Sequence, residues 1–304
     1  MHWQDYVTSL LDRVEIKAWR LSLTTPQVRA TVPMVRGVWG RALRHVDAEA
    51  YQRVFASDGP AHRRLPRYIL RPAPPDPMTA PAVEWILLGI DERLESVLWR
   101  AWDIASGMGL GPTRAPFSIR ARLPLGPGND GASSEAERWK LSDTVWPLSG
   151  DPASTPCGLD FPAPLRLIRQ GRLLAAPAPV DIATAALRRV ASLAGEAKGE
   201  VYRDMMWAVQ QEAAGLAARP WHGERSDLVR WSAAQRREID LHGVLGGLEL
   251  HAGPGRLWPL FAASSWIHIG KGTVFGLGEL RITALNDPED GVLSSASASS
   301  ATST

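Results

Sequence analysis

Residues 267–282 run Ile267-His268-Ile269-Gly270-Lys271-Gly272-Thr273-Val274-Phe275-Gly276-Leu277-Gly278-Glu279-Leu280-Arg281-Ile282. Four glycines and one of the chain's four lysines fall in this stretch. Glycine has no Cβ, so a backbone N–H beside it can come close to an anionic group. An apolar, helix-like run over 257–269 leads in, and a strand-like run over 277–283 leads out. A cation-bearing loop in that position suits a phosphate, with Lys271 as its best charged contact. The same glycines would equally let a helix pack tightly on a sheet. Two phosphate motifs are excluded. A Walker A loop needs a glycine five residues before Gly-Lys-Ser/Thr, but Ser265 stands there and Gly272 follows Lys271. A Rossmann fingerprint follows its strand, whereas these glycines precede one.

Around this loop, composition sets the bounds. The chain has 304 residues, which suits two domains, and 45% of them are hydrophobic, enough for a sizeable core. The formal net charge is +2. It is uneven: residues 1–72 carry 12 Lys/Arg against 6 Asp/Glu, a net +6. Nearly all of these cations are arginine, whose planar fork suits phosphate and stacks on bases. Thirteen tryptophans add packing or stacking surface. This balance suggests a nucleic-acid partner, although a GC-rich genome also favours arginine over lysine. Cys157 is alone, which leaves no internal disulfide and no cysteine-based metal cluster. The first residues, Met1-His2-Trp3-Gln4-Asp5, lack the basic and apolar regions of a secretory signal. No apolar run reaches membrane-spanning length. The sequence reads as cytoplasmic.

The elements that must position the loop alternate. Strands are expected over 14–23, 65–71, 83–89 and 116–123, and helices over 34–56 and 91–107, with Asp91 as N-cap. The order is strand, helix, strand, strand, helix, strand. Residues 124–156, rich in Gly, Pro, Ser and charge, read as a connection. The same order then recurs. A strand is expected over 159–168, and mostly helix over 181–218 with a break near 195–199. Strands at 227–231 and 239–250 flank a turn, followed by a helix over 257–267 and a strand over 277–283. Glycines precede the last strand of each copy, Gly107-Met108-Gly109-Leu110-Gly111 in the first and the loop above in the second. The expectation is α+β: two tandem ferredoxin-like (RRM-like) βαββαβ domains, residues 1–140 and 141–285. The tail over 286–304, with Val292 and Leu293 its only large apolar residues, has too little to bury and is expected to be disordered.

Three stretches carry a family likeness. Trp266-Ile267-His268-Ile269-Gly270-Lys271-Gly272-Thr273-Val274-Phe275-Gly276-Leu277-Gly278 resembles the C-terminal glycine-rich motif of the CRISPR-associated endoribonucleases. These enzymes cut precursor guide RNA within its repeats and belong to the RAMP superfamily. Pro33-Met34-Val35-Arg36-Gly37-Val38-Trp39-Gly40-Arg41-Ala42-Leu43-Arg44 is similar to that family's first helix. Gly158-Leu159-Asp160-Phe161-Pro162-Ala163-Pro164-Leu165-Arg166-Leu167 resembles the strand that opens its second half. The likeness spans roughly residues 15–283.

The resemblance implies a metal-independent endoribonuclease with no cofactor. The RNA would supply its own nucleophile, a 2′-hydroxyl, leaving cyclic-phosphate and 5′-hydroxyl ends. The protein would need an acid/base group and cations to stabilise the phosphorane. No H-x-x-x-H and no tight acidic set with ligand spacing is present. The resemblance puts a catalytic histidine on the first helix, where His45 stands with Arg41 one turn before it and Arg44 adjacent. A site of arginines alone, Arg36, Arg41 and Arg44, is the open variant. Tyr51 is a candidate to orient the ribose or stack on a base. Arg36, Gly270, Lys271, Gly272, Gly276 and Gly278 are the expected RNA contacts. Arg230, Arg236 and Arg237, beside a hairpin, would grip a repeat stem or form an ordinary solvated face. His268, in an alternating apolar run, reads as buried.

Three functions compete. The first is cleavage of CRISPR repeat RNA. The second is a non-catalytic RAMP subunit that binds RNA within a CRISPR ribonucleoprotein complex. The third is a small-molecule enzyme using the glycine loop for a phosphate.

Overall fold

A computed structural model describes residues 2–24, 30–55, 66–74, 81–111, 113–127, 137–232 and 237–285, with backbone only at 230–232 and 237–239. The chain starts with helix α1 (Trp3–Leu11), which the sequence pattern did not announce. Strand β1 (Glu15–Thr24) follows, then helices α2 (Val32–Val46) and α3 (Ala48–Phe55). The single helix expected over 34–56 is broken at Asp47, whose carboxylate accepts from the Ala50 N–H at 2.9 Å and restarts the chain as a new helix. Strands β2 (Tyr68–Pro72) and β3 (Ala82–Leu88), helix α4 (Glu92–Met108) and strand β4 (Ser118–Leu125) complete the first unit. Asp91 caps α4 as expected, accepting from the Leu94 N–H at 2.8 Å.

The first sheet is antiparallel, in the order β2-β3-β1-β4, with the short β5 (Trp139–Lys140) pairing with the start of β1. Its two faces explain why 83–88 reads as nearly unbroken apolar sequence. Successive side chains of a strand point to opposite faces. Trp19, Leu21, Leu23, Leu70 and Trp85 face α2 and α4, while Ile16, Ala18, Ile69, Ile86 and Leu88 join the core of the second half. Both faces are covered, so alternation is lost.

The second unit runs through β6 (Cys157–Leu165), a small hairpin β7 (Ile168–Arg169) and β8 (Arg172–Leu173), and helices α5 (Pro179–Ala194) and α6 (Glu200–Ala214). The expected helix break falls at Gly195, which adopts the left-handed conformation at φ 83°. Then come β9 (His222–Ser226), the hairpin β10 (Val229–Ser232) and β11 (Arg237–Asp240), β12 (Gly243–Leu250), α7 (Trp258–Ile267) and β13 (Arg281–Ala284). The second sheet has the order β13-β6-β12-β9 and is antiparallel. Counting the strands of each unit, both sheets read 4-1-3-2. The fold is α+β with two tandem ferredoxin-like units. The tail, 286–304, lies outside the described residues.

The halves share one core. The apolar face of α1 (Trp3, Tyr6, Val7, Leu10) packs with residues of α5 and α7. On the facing side of the first sheet, Glu84 is buried and held by Arg20 at 2.9 Å and Arg71 at 2.7 Å. Arg71 also donates to the Ser265 carbonyl at 2.7 Å, across the join. Taking a carboxylate out of water requires such pairing. Among the described residues, no helix is long and apolar enough to cross a membrane.

Candidate nucleic-acid interface

Helix α2 buries Val35, Val38, Trp39, Ala42 and Leu43 against the first sheet. Helical periodicity then leaves Gly37, Arg41, Arg44 and His45 on the solvent side, and all four are exposed. Arg41 and His45 are one turn apart on that face. The Arg44 guanidinium lies 5.9 Å from the ring of Tyr51, which stacks on Phe55 at 5.3 Å. Arg41, Arg44, His45 and Tyr51 thus gather where α2 ends and α3 begins.

Arg36 sits elsewhere. Its guanidinium lies between the rings of Phe55 and Phe275, 4.7 and 4.5 Å from their centroids, and its Nε donates to the Tyr68 hydroxyl at 2.8 Å. It fastens the glycine loop to the first unit by cation–π packing. Nine residues separate it from His45, roughly 13 Å along the helix axis.

The glycine loop is wound tightly. Gly270, Gly272, Gly276 and Gly278 have φ between 64° and 84°, a region in which side-chain-bearing residues are strained. A short 3-10 turn, Thr273–Phe275, separates the two glycine pairs. A Cβ on Gly276 would meet the Leu70 carbonyl of β2 at 3.0 Å, so glycine permits the approach of the two halves. Several loop N–H groups serve the fold: Lys271 donates to Arg166 at 3.0 Å, Gly278 to Pro164 at 3.1 Å, and Gly276 to Thr273 at 3.0 Å. The expectation that these glycines expose their N–H groups to phosphate is therefore only partly met. The side chain of Lys271 is exposed.

His268 opens this loop with φ 51° and is fully buried. Its Nδ1 lies 3.1 Å from the Leu277 carbonyl, which can only accept, so Nδ1 carries the proton. Burial, and after it the charge of Arg71, holds this imidazole well below the ordinary histidine value. It is a neutral structural group, as its apolar surroundings suggest. Cys157 is equally inert: burial, with the charge of Asp160 adding, pushes its thiol up to about 12.

Of the hairpin arginines, Arg230 pairs by backbone register with Ile239 and Arg237 with Ser232. Arg236 lies outside the described residues. Among the described residues, no group of three or more His, Cys, Asp or Glu is placed to hold a metal ion. Sequence reasoning missed the cavity beside Lys271. About 640 Å³ in volume, it is lined by Arg166, Arg169, Arg188, Arg189 and Gly270 among others. Arg189 is 6% exposed and donates to the Ile267 carbonyl at 3.2 Å; burial, then the charge of Arg67, lowers it to about 10. The signal was an Arg188-Arg189 pair on a helix whose apolar face takes in only the second of the two.

Residues 159–280 match the sequence model of the family CRISPR-associated endoribonuclease Cas6. Over that segment the chain is similar to the Cas6 family. Solved Cas6 structures share its fold. The Cas6 (TTHA0078) product complex superposes with a TM-score of 0.55 at 19% identity, covering 89% of this chain and 100% of that one. The Cas6 (TTHB231) product complex gives 0.55 at 16% identity, covering 89% and 99%. Thermus thermophilus Cas6 (TTHB231) gives 0.54 at 16%, covering 88% and 98%. No curated protein matches the chain by sequence. The Cas6 segment begins in β6 and ends just before β13, so it takes in the glycine loop and the cavity beside it.

Proposed function

We propose that this protein is a metal-independent endoribonuclease that binds CRISPR precursor RNA and cuts it within its repeats to yield guide RNA. The observation that carries the reading is the Cas6 match over 159–280, which contains the glycine loop. The working units are residues 1–140 and 141–285. The first supplies the reacting groups and the second the grip. A ribose 2′-oxygen attacks the neighbouring phosphorus while His45 takes its proton. The phosphorus–5′-oxygen bond breaks, and the leaving oxygen takes a proton from water. Arg41 and Arg44, on the same exposed face, neutralise the phosphorane, and Tyr51 supports Arg44 by ring contact. Arg36 keeps the glycine loop seated, and Lys271 contacts phosphate. Arg230, Arg236 and Arg237 contact the RNA beyond the cut. The protein works in the cytoplasm, alone or with other subunits of a CRISPR ribonucleoprotein complex.

The test is incubation of purified protein with labelled repeat RNA in excess chelator, with product ends mapped. A cyclic-phosphate end and a 5′-hydroxyl end are expected. A deoxyribose before the scissile phosphate should abolish cutting. Tight binding of repeat RNA without cutting would make the protein an RNA-binding RAMP subunit. Lys271→Ala should lower the log–log salt slope of binding by about 0.7, one phosphate contact on a single strand. An unchanged slope would remove Lys271 from the interface.

A further inference from the structure

The cavity beside Lys271 does not end on α5. A second hollow of about 410 Å³ adjoins it, and Arg188, Ser192 and Gln210 line both. Together they form one groove along the seam of α5 and α6, opening at one end on Gly270 and Lys271. On α5 the groove is faced by Thr184, Arg188 and Ser192, four residues apart and so on one side of the helix. On α6 it is faced by Arg203, Trp207 and Gln210 at the same kind of spacing. The Gln210 amide donates to the Thr184 hydroxyl at 3.2 Å and ties the two walls together.

The charge is one-sided. Six cationic side chains (Arg166, Arg169, Arg188, Arg189, Arg203 and Lys271) line the groove against one carboxylate, Asp181. That carboxylate is already occupied, 3.7 Å from Arg169 and accepting from the Ala178 N–H at 3.0 Å. The buried Nε of Arg166 has no hydrogen-bond partner among the described residues. At the far end Trp207 stands 65% exposed, an unusual place for an indole. A tryptophan beside a line of cations is what an unpaired polynucleotide needs: a π-face for a base and charge for its backbone.

We infer that this groove is a track for single-stranded RNA, carrying the unpaired segment that adjoins the phosphate at the glycine loop, with Trp207 stacking on a base. The inference rests on the RNA-cleaving reading above and adds a second, distant contact region to it. Charge selects RNA over an apolar protein partner. A second copy of this chain would have to bring carboxylates to a wall on which cations outnumber carboxylates six to one.

The experiment uses the full chain and two kinds of RNA: the shortest repeat RNA that is cut, and the same RNA extended at either end by about 8 unpaired uridines. Binding is measured over a range of salt. One extended RNA should bind the parent more tightly than the short one, and Trp207→Ala should cut that gain by roughly 5- to 150-fold. Trp207→Phe should retain most of it. Arg188→Glu should lower the salt slope for the extended RNA by about 0.7. Both positions are exposed, so the variants fold, and circular dichroism checks this. Equal binding of short and extended RNAs, or a gain that survives both Trp207→Ala and Arg188→Glu, overturns the track. So does parent self-association that Trp207→Ala abolishes while the RNA gain persists, since the groove then belongs to a second copy. Failure of the parent to bind or cut any repeat RNA is a different result, and it removes the parent reading along with the track.

Discussion

Before β4 the chain turns through Gly109 and Gly111, and the turn closes on itself: Leu110 and Ala115 exchange hydrogen bonds of 2.7 and 2.9 Å. Before β13, at the same point of the second unit, the turn reaches outward. Val274 enters the core of the first unit, Phe275 stacks on Arg36, and Gly276 lies against β2. Both turns need glycine for the same reason, positive φ and close backbone. The first spends that freedom on a local reversal. The second uses it to join two units and to leave Lys271 exposed at the mouth of a basic groove. A repeated motif can keep its backbone geometry while its neighbours assign it a different task.

The largest expected effect separates the chemistry of the first unit from the grip of the second. His45→Ala should slow single-turnover cleavage by about 10²–10⁴-fold if the imidazole is the acid/base group. RNA affinity should stay close to that of the parent, since one imidazole adds little to many phosphate contacts. Full rate in this variant, with Arg41→Ala and Arg44→Ala inactive, would move the site to arginines alone.

The two turns can be compared directly by stability. A Cβ on Gly278 would collide with the Ile269 carbonyl, and one on Gly109 with the Arg114 carbonyl, both at positive φ. Each alanine variant should lose about 2–4 kcal/mol. If the second turn does join the units, Gly278→Ala should also lower protection from hydrogen exchange in β2, while Gly109→Ala should not. Equal effects on β2 would mean that both turns act only locally.

His268 gives the joining turn a pH signature. Its folded value is depressed, so the unfolded chain binds a proton first as pH falls. Stability is therefore full above about 6.5 and declines below it, by up to about 1.4 kcal/mol per pH unit for one proton. Denaturant melts of the parent and of His268→Gln should diverge across that range. Parallel curves would show the imidazole equally protonated in both states.

The smallest effect is a control on the first turn. Gly107 lies within α4 with open space around its Cβ position. Gly107→Ala should raise stability by about 0.5–1 kcal/mol. A loss in the thermal melt would indicate that Gly107, like its neighbours, is needed for the reversal.

Much of this was readable from spacing. The βαββαβ order of the first unit, the Asp91 cap and the break at Gly195 follow from local signals carried by a few adjacent residues. In the second unit the strand expected over 227–231 falls in the hairpin β10–β11 outside the sheet, and β9 (His222–Ser226), which pairs within it, was not expected. Helix α1 was missed because its apolar residues, Trp3, Tyr6, Val7 and Leu10, are explained only by what they pack on, far along the chain. The placement of the candidate site residues was legible in part. Arg41, Arg44 and His45 are exposed together because helical periodicity puts them there. Arg36 looked like another phosphate contact, and nothing nearby in sequence reveals that Phe275 lies on it. The groove was invisible for the same reason. Its cations come from a strand end, a small hairpin, two helices and the glycine loop, and only the tertiary fold adds them up.

Helix α1 has a further consequence, in the order of events during synthesis. Its apolar face is made well before its seat on α5 and α7. Ribosomes add about 5–20 residues per second, so that face waits roughly 10–50 seconds for its partners. Over that interval the first sheet can collapse onto α2 and α4, yet its other face, with Ile16, Ile69 and Ile86, is also uncovered. The nascent first unit therefore carries two greasy surfaces that only the finished chain can hide, and chaperones should bind it most strongly before residue 260 emerges.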